Sequence, residues 1–159
     1  MRVTGTPDDP YITADIGGIV HTHSSFATAW AQASEEIPCF GTTHADHFDG
    51  AVPVTRPLDA AEIAGEYERA TGEVILETFV RLGLEPMDRP AVLVASHGPF
   101  AWGASVEEAV ENAIALEEVA AGALRTRQLR ADVPPIADEL RRRHFRRKHG
   151  PDAYYGQTR

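Results

Sequence analysis

The segment AVLVASHGPF, residues 91–100, decides the fold class of this chain. Five apolar residues, 91–95, follow Pro90 without a polar interruption, which is typical of a short β-strand buried on both faces. The run leads directly into Ser96-His97-Gly98-Pro99, so a histidine stands at the end of a buried strand. The segment that indicates the fold therefore also contains a candidate functional residue, His97.

A second short strand is predicted where GGIVHTHS occupies residues 17–24. Residues two apart in a strand point to the same side, so His21 and His23 place two imidazoles on one face. If this strand neighbours the one before His97, three histidines converge at one edge and leave a position open for water or substrate. That arrangement is typical of catalytic zinc, with manganese, cobalt and nickel as alternatives. The competing interpretation is that each histidine caps its strand through a hydrogen bond.

Helical periodicity fills most of the remaining chain. Apolar residues recur every three or four positions from Asp59 to Leu82, although Gly65 and Gly72 weaken this helix, and Gly83 is a natural stop. Further helices are predicted over 24–34, over 106–124 and from Pro134 to Gly150, with an extended segment over 37–40, a loop over 41–50 and a loose leader over 1–15. Because strands and helices alternate, the fold class is α/β or α+β.

Composition restricts the class of protein. The chain has 159 residues, a formal net charge of −9 and 43% apolar residues, which suits one globular domain. No apolar stretch spans a bilayer and no cationic signal segment is visible, so we expect a cytoplasmic protein without a membrane partner. The single Cys39 excludes an intramolecular disulfide, and the acidic charge argues against nucleic-acid binding. The only lysine, Lys148, stands in a cationic run, which argues against imine catalysis.

Two other polar segments leave their roles open. The cluster His44-Ala45-Asp46-His47 fits a second metal site, an acid–base loop or a solvated turn. The Arg-rich run 141–148 is interpreted as a solvated or inter-subunit face of the last helix rather than as a substrate anchor, because charged helix faces usually contact water.

Seven stretches of the chain resemble the class II aldolase and adducin-like family, and within it the enzymes that epimerise pentulose phosphates at C4. These stretches are GGIVHTHS (17–24), WAQA (30–33), GTTHAD (41–46), EIAGEYE (62–68), SHGPFAWG (96–103), NAIALEEVA (112–120) and RKHGPDAYYGQ (147–157). Together they cover the chain almost continuously from Ile16 to Gln157. The resemblance implies a three-layer α-β-α fold and a zinc ion held by His21, His23 and His97.

The reaction implied by the resemblance is the conversion of L-ribulose 5-phosphate to D-xylulose 5-phosphate, a step of arabinose catabolism. The C3–C4 bond breaks in a retro-aldol step, the aldehyde rotates, and re-addition inverts C4, with zinc as the Lewis acid. Two proton carriers serve the two faces of the C4 hydroxyl. By resemblance they are Asp46 and Tyr155, which act from the neighbouring subunit of a ring-shaped homotetramer. Thr42, Glu68 and His144 match polar positions that bind the substrate or support the site.

The chain departs from the family's pattern at its N-terminal side. The family's N-terminal segment carries the loops that hold the substrate phosphate, and residues 1–15 do not match it. We therefore expect residues 16–159 to form the C-terminal portion of a class II aldolase-like domain, with an incomplete central sheet and exposed edge strands. His47 stands where a tyrosine is expected. Two other functions stay open: a class II sugar-phosphate aldolase, and a non-catalytic adducin-like module or inactive fragment.

Overall fold

A computed structural model describes residues 16–149 and 153–154 of the chain. Its strands are β1 (Gly18–His21), β2 (Ala91–Val94) and β3 (Gly98–Gly103). Its helices are α1 (Ser25–Ala33), α2 (Thr42–Ala45), α3 (Ala60–Ala64), α4 (Tyr67–Leu82), α5 (Val106–Leu129) and α6 (Asp138–His149). The predicted leader, residues 1–15, lies outside the described residues. In the described part of the chain, no helix has the length and apolar character that crossing a membrane requires.

The described strands form one antiparallel sheet in the order β1-β3-β2. Strand β3 lies at its centre, with Val20 opposite Ala101 in one pair and Leu93 opposite Pro99 in the other. The sequence pattern did not predict β3, since Gly98 and Pro99 at its start are turn residues, and a proline argues against a central strand. Because β3 pairs with both neighbours, it brings the end of β1 beside the turn between β2 and β3.

Side chains of the sheet alternate between two layers of helices. Leu93 packs in a core that includes Trp30 of α1 and Leu116 of α5. Val92 points to the opposite face and packs with Phe79 of α4. All four residues of β2 are buried, as the apolar run predicted. The predicted three-layer α/β fold, with a small sheet between two helical layers, is confirmed.

The long helix predicted after Asp59 is divided at Gly65 into α3 and α4. Helix α3 begins with a capping box at Asp59. The chain leaves the helix at Gly65 and re-enters it at Tyr67, which places this tyrosine at the start of α4. Helix α4 continues through Gly72 and ends at Gly83, whose φ of 60° is typical of a glycine cap.

Other boundaries differ from the sequence expectations in smaller ways. The predicted loop 41–50 contains the short helix α2, which is too short to show a period. The predicted extended segment makes a single bridge, from Ile37 to Val52. Helix α5 continues to Leu129, and α6 begins only at Asp138. Before α6, the N–H of Ile136 donates to the carbonyl of Cys39 at 2.9 Å, which ties this segment to the segment 37–40.

Candidate metal centre

Three histidines reach one point from two neighbouring parts of the sheet. His21 is the last residue of β1, His23 follows two residues later, and His97 lies in the turn between β2 and β3. The N–H of Thr22 donates to the carbonyl of Pro99 at 3.3 Å, which holds the end of β1 beside that turn. The sheet therefore brings together the three residues that the sequence predicts as ligands.

The ring nitrogens of these histidines converge. The Nε2 atoms of His21 and His23 lie 3.2 Å apart. The ligand atoms offered by His21, His23 and His97 all lie within 4.8 Å of one another. Three neutral imidazoles with an open fourth position are the donor set of many catalytic zinc sites. Within residues 16–149 and 153–154, this triad is a possible site for a divalent transition metal.

Hydrogen bonds on the far side of two rings leave their Nε2 atoms for a metal. Nδ1 of His21 donates to the carbonyl of Pro99 at 3.0 Å, and its ring stacks on Phe100 with centroids 4.1 Å apart. Nδ1 of His97 lies 3.2 Å from Oη of Tyr67 in α4. Burial, and then the two neighbouring imidazoles, lower the pKa of His97, so its ring is neutral at pH 7. The donors and their outer partners fit a zinc-type ion.

The turn that carries His97 is tightly built. Ser96 has a φ of 61°, in the left-handed region that residues other than glycine rarely occupy, and its N–H donates to the carbonyl of Ala31 at 2.8 Å. A Cβ atom on Gly98 would lie 2.9 Å from the carbonyl oxygen of Thr22. The turn and the end of β1 are therefore in direct contact, and glycine is required where they meet.

Asp46 belongs to a second polar cluster, which it forms with α6. Arg147 binds the carboxylate in a bidentate manner, with Nε to Oδ1 at 3.0 Å and Nη2 to Oδ2 at 2.6 Å. Nδ1 of His144 lies 3.1 Å from Oδ1, and Nε2 of His149 lies 2.9 Å from the backbone carbonyl of Asp46. Burial raises the pKa of Asp46, but the hydrogen bonds from Arg147 and His144 outweigh it and lower the pKa overall. Asp46 is therefore an ionised carboxylate at neutral pH.

Two arginines of the run 141–148 bind acidic side chains within the same chain. Arg147 binds Asp46, and Arg141 binds Asp49 as well as Asp138. Their side chains are only 22% and 14% exposed. The solvated interpretation therefore does not hold for these two residues, because acidic side chains of the segment 41–50 bind them; the inter-subunit interpretation of the run stays a prediction.

His44 is a buried structural histidine. It is 4% exposed, and its Nε2 donates to the carbonyl of Gly50 at 2.8 Å. Burial lowers the pKa of His44 to about 4. The candidate metal-binding group found among the described residues does not include the cluster 44–47. Asp46 is only 9% exposed, which excludes the interpretation of the cluster as a solvated turn. The acid–base role of this cluster stays a prediction.

The other predicted site residues are placed separately. Thr42 begins α2, and its carbonyl accepts the N–H of Asp46 at 2.9 Å. Glu68 is exposed in the first turn of α4. His144 contacts Asp46, as described above. Tyr155 lies outside the described residues, so its predicted role stays a prediction.

Two side chains, one that contacts a candidate ligand and one that caps the helix after the ligand segment, were not predicted. Tyr67 follows the apolar periodicity of α4, a pattern that indicates a core residue, yet its hydroxyl contacts His97. The carboxylate of Glu117 in α5 accepts the N–H groups of Phe26 and Ala27 at 2.8 and 2.9 Å, and so caps α1 directly after the ligand segment. The only sequence signal for this cap was a glutamate beside the apolar face of α5.

Sequence comparison relates the chain to sugar-phosphate enzymes. The family profile "Class II Aldolase and Adducin N-terminal domain" matches residues 11–124. The chain is 54% identical over 142 residues to the L-ribulose-5-phosphate 4-epimerases UlaF of Salmonella paratyphi A and Salmonella typhi. This match covers 89% of the chain and 61% of those proteins. The chain thus spans less than two thirds of the length of these curated relatives.

Solved structures share the fold described above. L-fuculose 1-phosphate aldolase superposes with a TM-score of 0.59 at 21% identity, over 79% of this chain and 52% of that protein. YgbL from Klebsiella pneumoniae superposes with a TM-score of 0.54 at 25% identity, over 79% of this chain and 55% of that protein. Sequence and structure agree: the chain belongs to the class II aldolase and adducin family.

Proposed function

We propose that this chain carries the metal centre of an enzyme that epimerises a pentulose 5-phosphate at C4, converting L-ribulose 5-phosphate to D-xylulose 5-phosphate. The observation that carries the proposal is the convergence of three imidazoles in a chain that is 54% identical to L-ribulose-5-phosphate 4-epimerases. Because the chain spans 61% of those relatives, the activity of the whole enzyme is part of the proposal.

The metal of this centre is zinc, held through the three converging side chains of His21, His23 and His97. Zinc supplies Lewis-acid stabilisation of the negative charge that develops on the ketose oxygens when the C3–C4 bond breaks. The protein orients the ligands: the backbone carbonyl of Pro99 holds the ring of His21, and Tyr67 holds that of His97. The open side of the triad faces solvent, since His21 and His23 are exposed, and is the place for the ketose.

Asp46 and Tyr155 are the proposed proton carriers for the two faces of the C4 hydroxyl. Cleavage takes a proton from that hydroxyl, and re-addition returns one to the opposite face. The lowered pKa of Asp46 keeps it in the basic form that accepts a proton. His144, 3.1 Å from its Oδ1, orients the carboxylate, while Arg147 weakens it as a base. Thr42 and Glu68 are proposed to support substrate binding.

The proposed assembly is a cytoplasmic homotetramer in which Asp46 and Tyr155 act on the metal centre of a neighbouring subunit. Within its own chain, the carboxylate of Asp46 is bonded to His144 and Arg147 of α6. Sedimentation of the purified protein measures the oligomeric state directly.

The decisive experiment incubates the purified, zinc-loaded protein with L-ribulose 5-phosphate and follows D-xylulose 5-phosphate. Turnover is expected, and it should be lost in His97→Ala but kept in Asp132→Asn, whose side chain is 83% exposed. If the chain turns over only when the part of its relatives that it does not cover is supplied, it is the metal-binding part of the enzyme. Absence of turnover under both conditions contradicts the proposal.

The same assay separates the other functions. Release of free aldehyde and dihydroxyacetone without inversion identifies an aldolase, and Tyr155→Phe should abolish inversion while cleavage persists in an epimerase. A non-catalytic module should bind no stoichiometric zinc and show the same thermal midpoint with and without zinc.

A further inference from the structure

Tyr67 reaches the metal centre from a different layer of the fold than the histidines. It lies in α4, which packs through Phe79 against the face of the sheet opposite to α1 and α5. Its Oη lies 3.2 Å from Nδ1 of His97, and the two rings have centroids 6.0 Å apart with planes inclined by 32°. The half-buried phenol is therefore an outer partner of a candidate ligand.

The division of the helix at Gly65 fixes the position of this phenol. The N–H of Tyr67 donates to the carbonyl of Gly65 at 3.1 Å, and helix α4 starts at Tyr67 itself. One turn later, Oγ1 of Thr71 donates to the carbonyl of Tyr67 at 2.9 Å. The backbone on both sides of the tyrosine is thereby tied down, so its side chain is held at the end of α4 that faces the turn of His97.

A neutral imidazole binds a metal only through the nitrogen that lacks a proton. For His21, a backbone carbonyl determines which ring nitrogen is protonated. A carbonyl only accepts hydrogen bonds, so Nδ1 carries the proton and Nε2 is left to bind the metal. For His97 the partner is a hydroxyl, which accepts or donates. A proton on Nδ1 of His97 that is donated to Oη of Tyr67 leaves Nε2 unprotonated.

We propose that Tyr67 is a positioning residue for the metal centre: its oxygen accepts the Nδ1 proton of His97 and so presents the Nε2 lone pair to the metal. This inference rests on the proposed metal-dependent function and deepens it. Outer partners of ligating histidines contribute about 10- to 100-fold in metal affinity when they are removed by mutation. Because Pro99 acts through its backbone, Tyr67 is the outer partner that a substitution can test.

The first test measures the affinity of the full chain for zinc alone, by competition with a chromophoric chelator at pH 8. Tyr67→Phe removes one oxygen and keeps the ring, and it should weaken zinc binding about 10- to 100-fold. The matched control is Thr78→Val, which removes a buried hydroxyl of the same helix that donates to Val74 at 2.8 Å. Thr78→Val should bind zinc as the unchanged chain does, even if its thermal midpoint falls.

The second test observes the histidine ring nitrogens by ¹⁵N NMR in the zinc-loaded protein. The unchanged chain should show a protected Nδ1 proton on His97, and Tyr67→Phe should lose that protection while the signals of His21 persist. A merely structural role of Tyr67 would not move this signal alone.

The outcomes separate this inference from the proposed function. If the unchanged chain and Tyr67→Phe bind zinc with equal affinity and protect the Nδ1 proton of His97 equally, the proposed role of Tyr67 is wrong. The proposed metal centre is not affected by that result. Failure of the unchanged chain to bind zinc overturns both. Weakened binding in Tyr67→Phe supports the positioning role, whether or not the isolated chain turns over the sugar phosphate.

Discussion

Glu117 caps α1 from another helix, and its replacement by glutamine should destabilise the fold. One carboxylate oxygen accepts the N–H of Phe26 at 2.8 Å and the other accepts the N–H of Ala27 at 2.9 Å. Glutamine has nearly the same size, but it presents one oxygen and one NH₂ group. It therefore keeps one of these bonds and turns a donor toward the other N–H. The substitution also removes a negative charge from the positive end of the helix.

The expected loss in free energy of unfolding is about 2 kcal/mol. A hydrogen bond to a charged acceptor contributes about 1.5–3 kcal/mol, and a charge at a helix N-terminus contributes about 0.3–1 kcal/mol. Glu117 is half-buried, so solvent screens part of both contributions. The expected total therefore lies near the lower end of the two contributions added together.

Urea denaturation of the unchanged chain, Glu117→Gln and Glu118→Gln measures this difference at pH 7. Glu118 is the next residue of α5 and is exposed, so Glu118→Gln makes the same chemical change without touching α1. It should alter the free energy of unfolding by less than about 0.5 kcal/mol. Equal midpoints and slopes for the two variants would refute the assignment of Glu117 as the cap of α1.

The difference between Glu117→Gln and the unchanged chain should also depend on pH. Burial raises the pKa of Glu117, but the N–H groups at the start of α1 lower it further, so the folded value lies below the ordinary 4.5. A carboxyl with a lowered folded pKa stabilises the protein above its unfolded pKa, and this stabilisation is lost as the pH falls through the folded pKa. The two unfolding curves should therefore approach each other below pH 4.5.

Three further substitutions and one control variant test the remaining assignments. Asp46→Asn should lower the free energy of unfolding in urea by about 2–3 kcal/mol, because the bidentate bond with Arg147 is lost. Burial lowers the pKa of His44 to about 4 from 6.5, so stability should fall by up to roughly 1.4 kcal/mol per pH unit as the pH is lowered from 6.5 to about 4. His44→Gln should flatten this slope, and an unchanged slope in denaturation curves at several pH values would contradict the assignment. Gly98→Ala should weaken zinc binding in calorimetry, since its Cβ meets the β1 end at 2.9 Å. Gly122→Ala, with open space around its Cβ, should raise the thermal midpoint and leave zinc binding unchanged.

Local patterns were enough to predict that three histidines converge at one edge of the sheet. His21 and His23 share one face through the two-residue period of a strand, and His97 ends an apolar run that had to be buried. These statements depend only on neighbouring residues. The pairing of β1 with β3 was not predicted. Glycine and proline at the start of β3 are turn residues, so the sequence pattern did not indicate a strand in the centre of the sheet.

Contacts between distant segments were not predictable in the same way. Arg147 follows a run of cationic residues, and such runs usually face water, yet its partner Asp46 comes from the other end of the described chain. Gly65 and Gly72 weaken the long helix equally by propensity. Only the first divides it, beside a capping box that ends one turn earlier, and this division is what brings Tyr67 to His97.

The bond between Asp46 and Arg147 has a consequence for the order in which the protein is made. The two residues are 101 positions apart, so at roughly 5–20 residues per second a ribosome needs roughly 5–20 s to reach Arg147 after Asp46. All three histidines and Tyr67 have been synthesised before the first residue of α6. A nascent chain therefore contains all three histidines and Tyr67 before α6 is available to bind the carboxylate of Asp46.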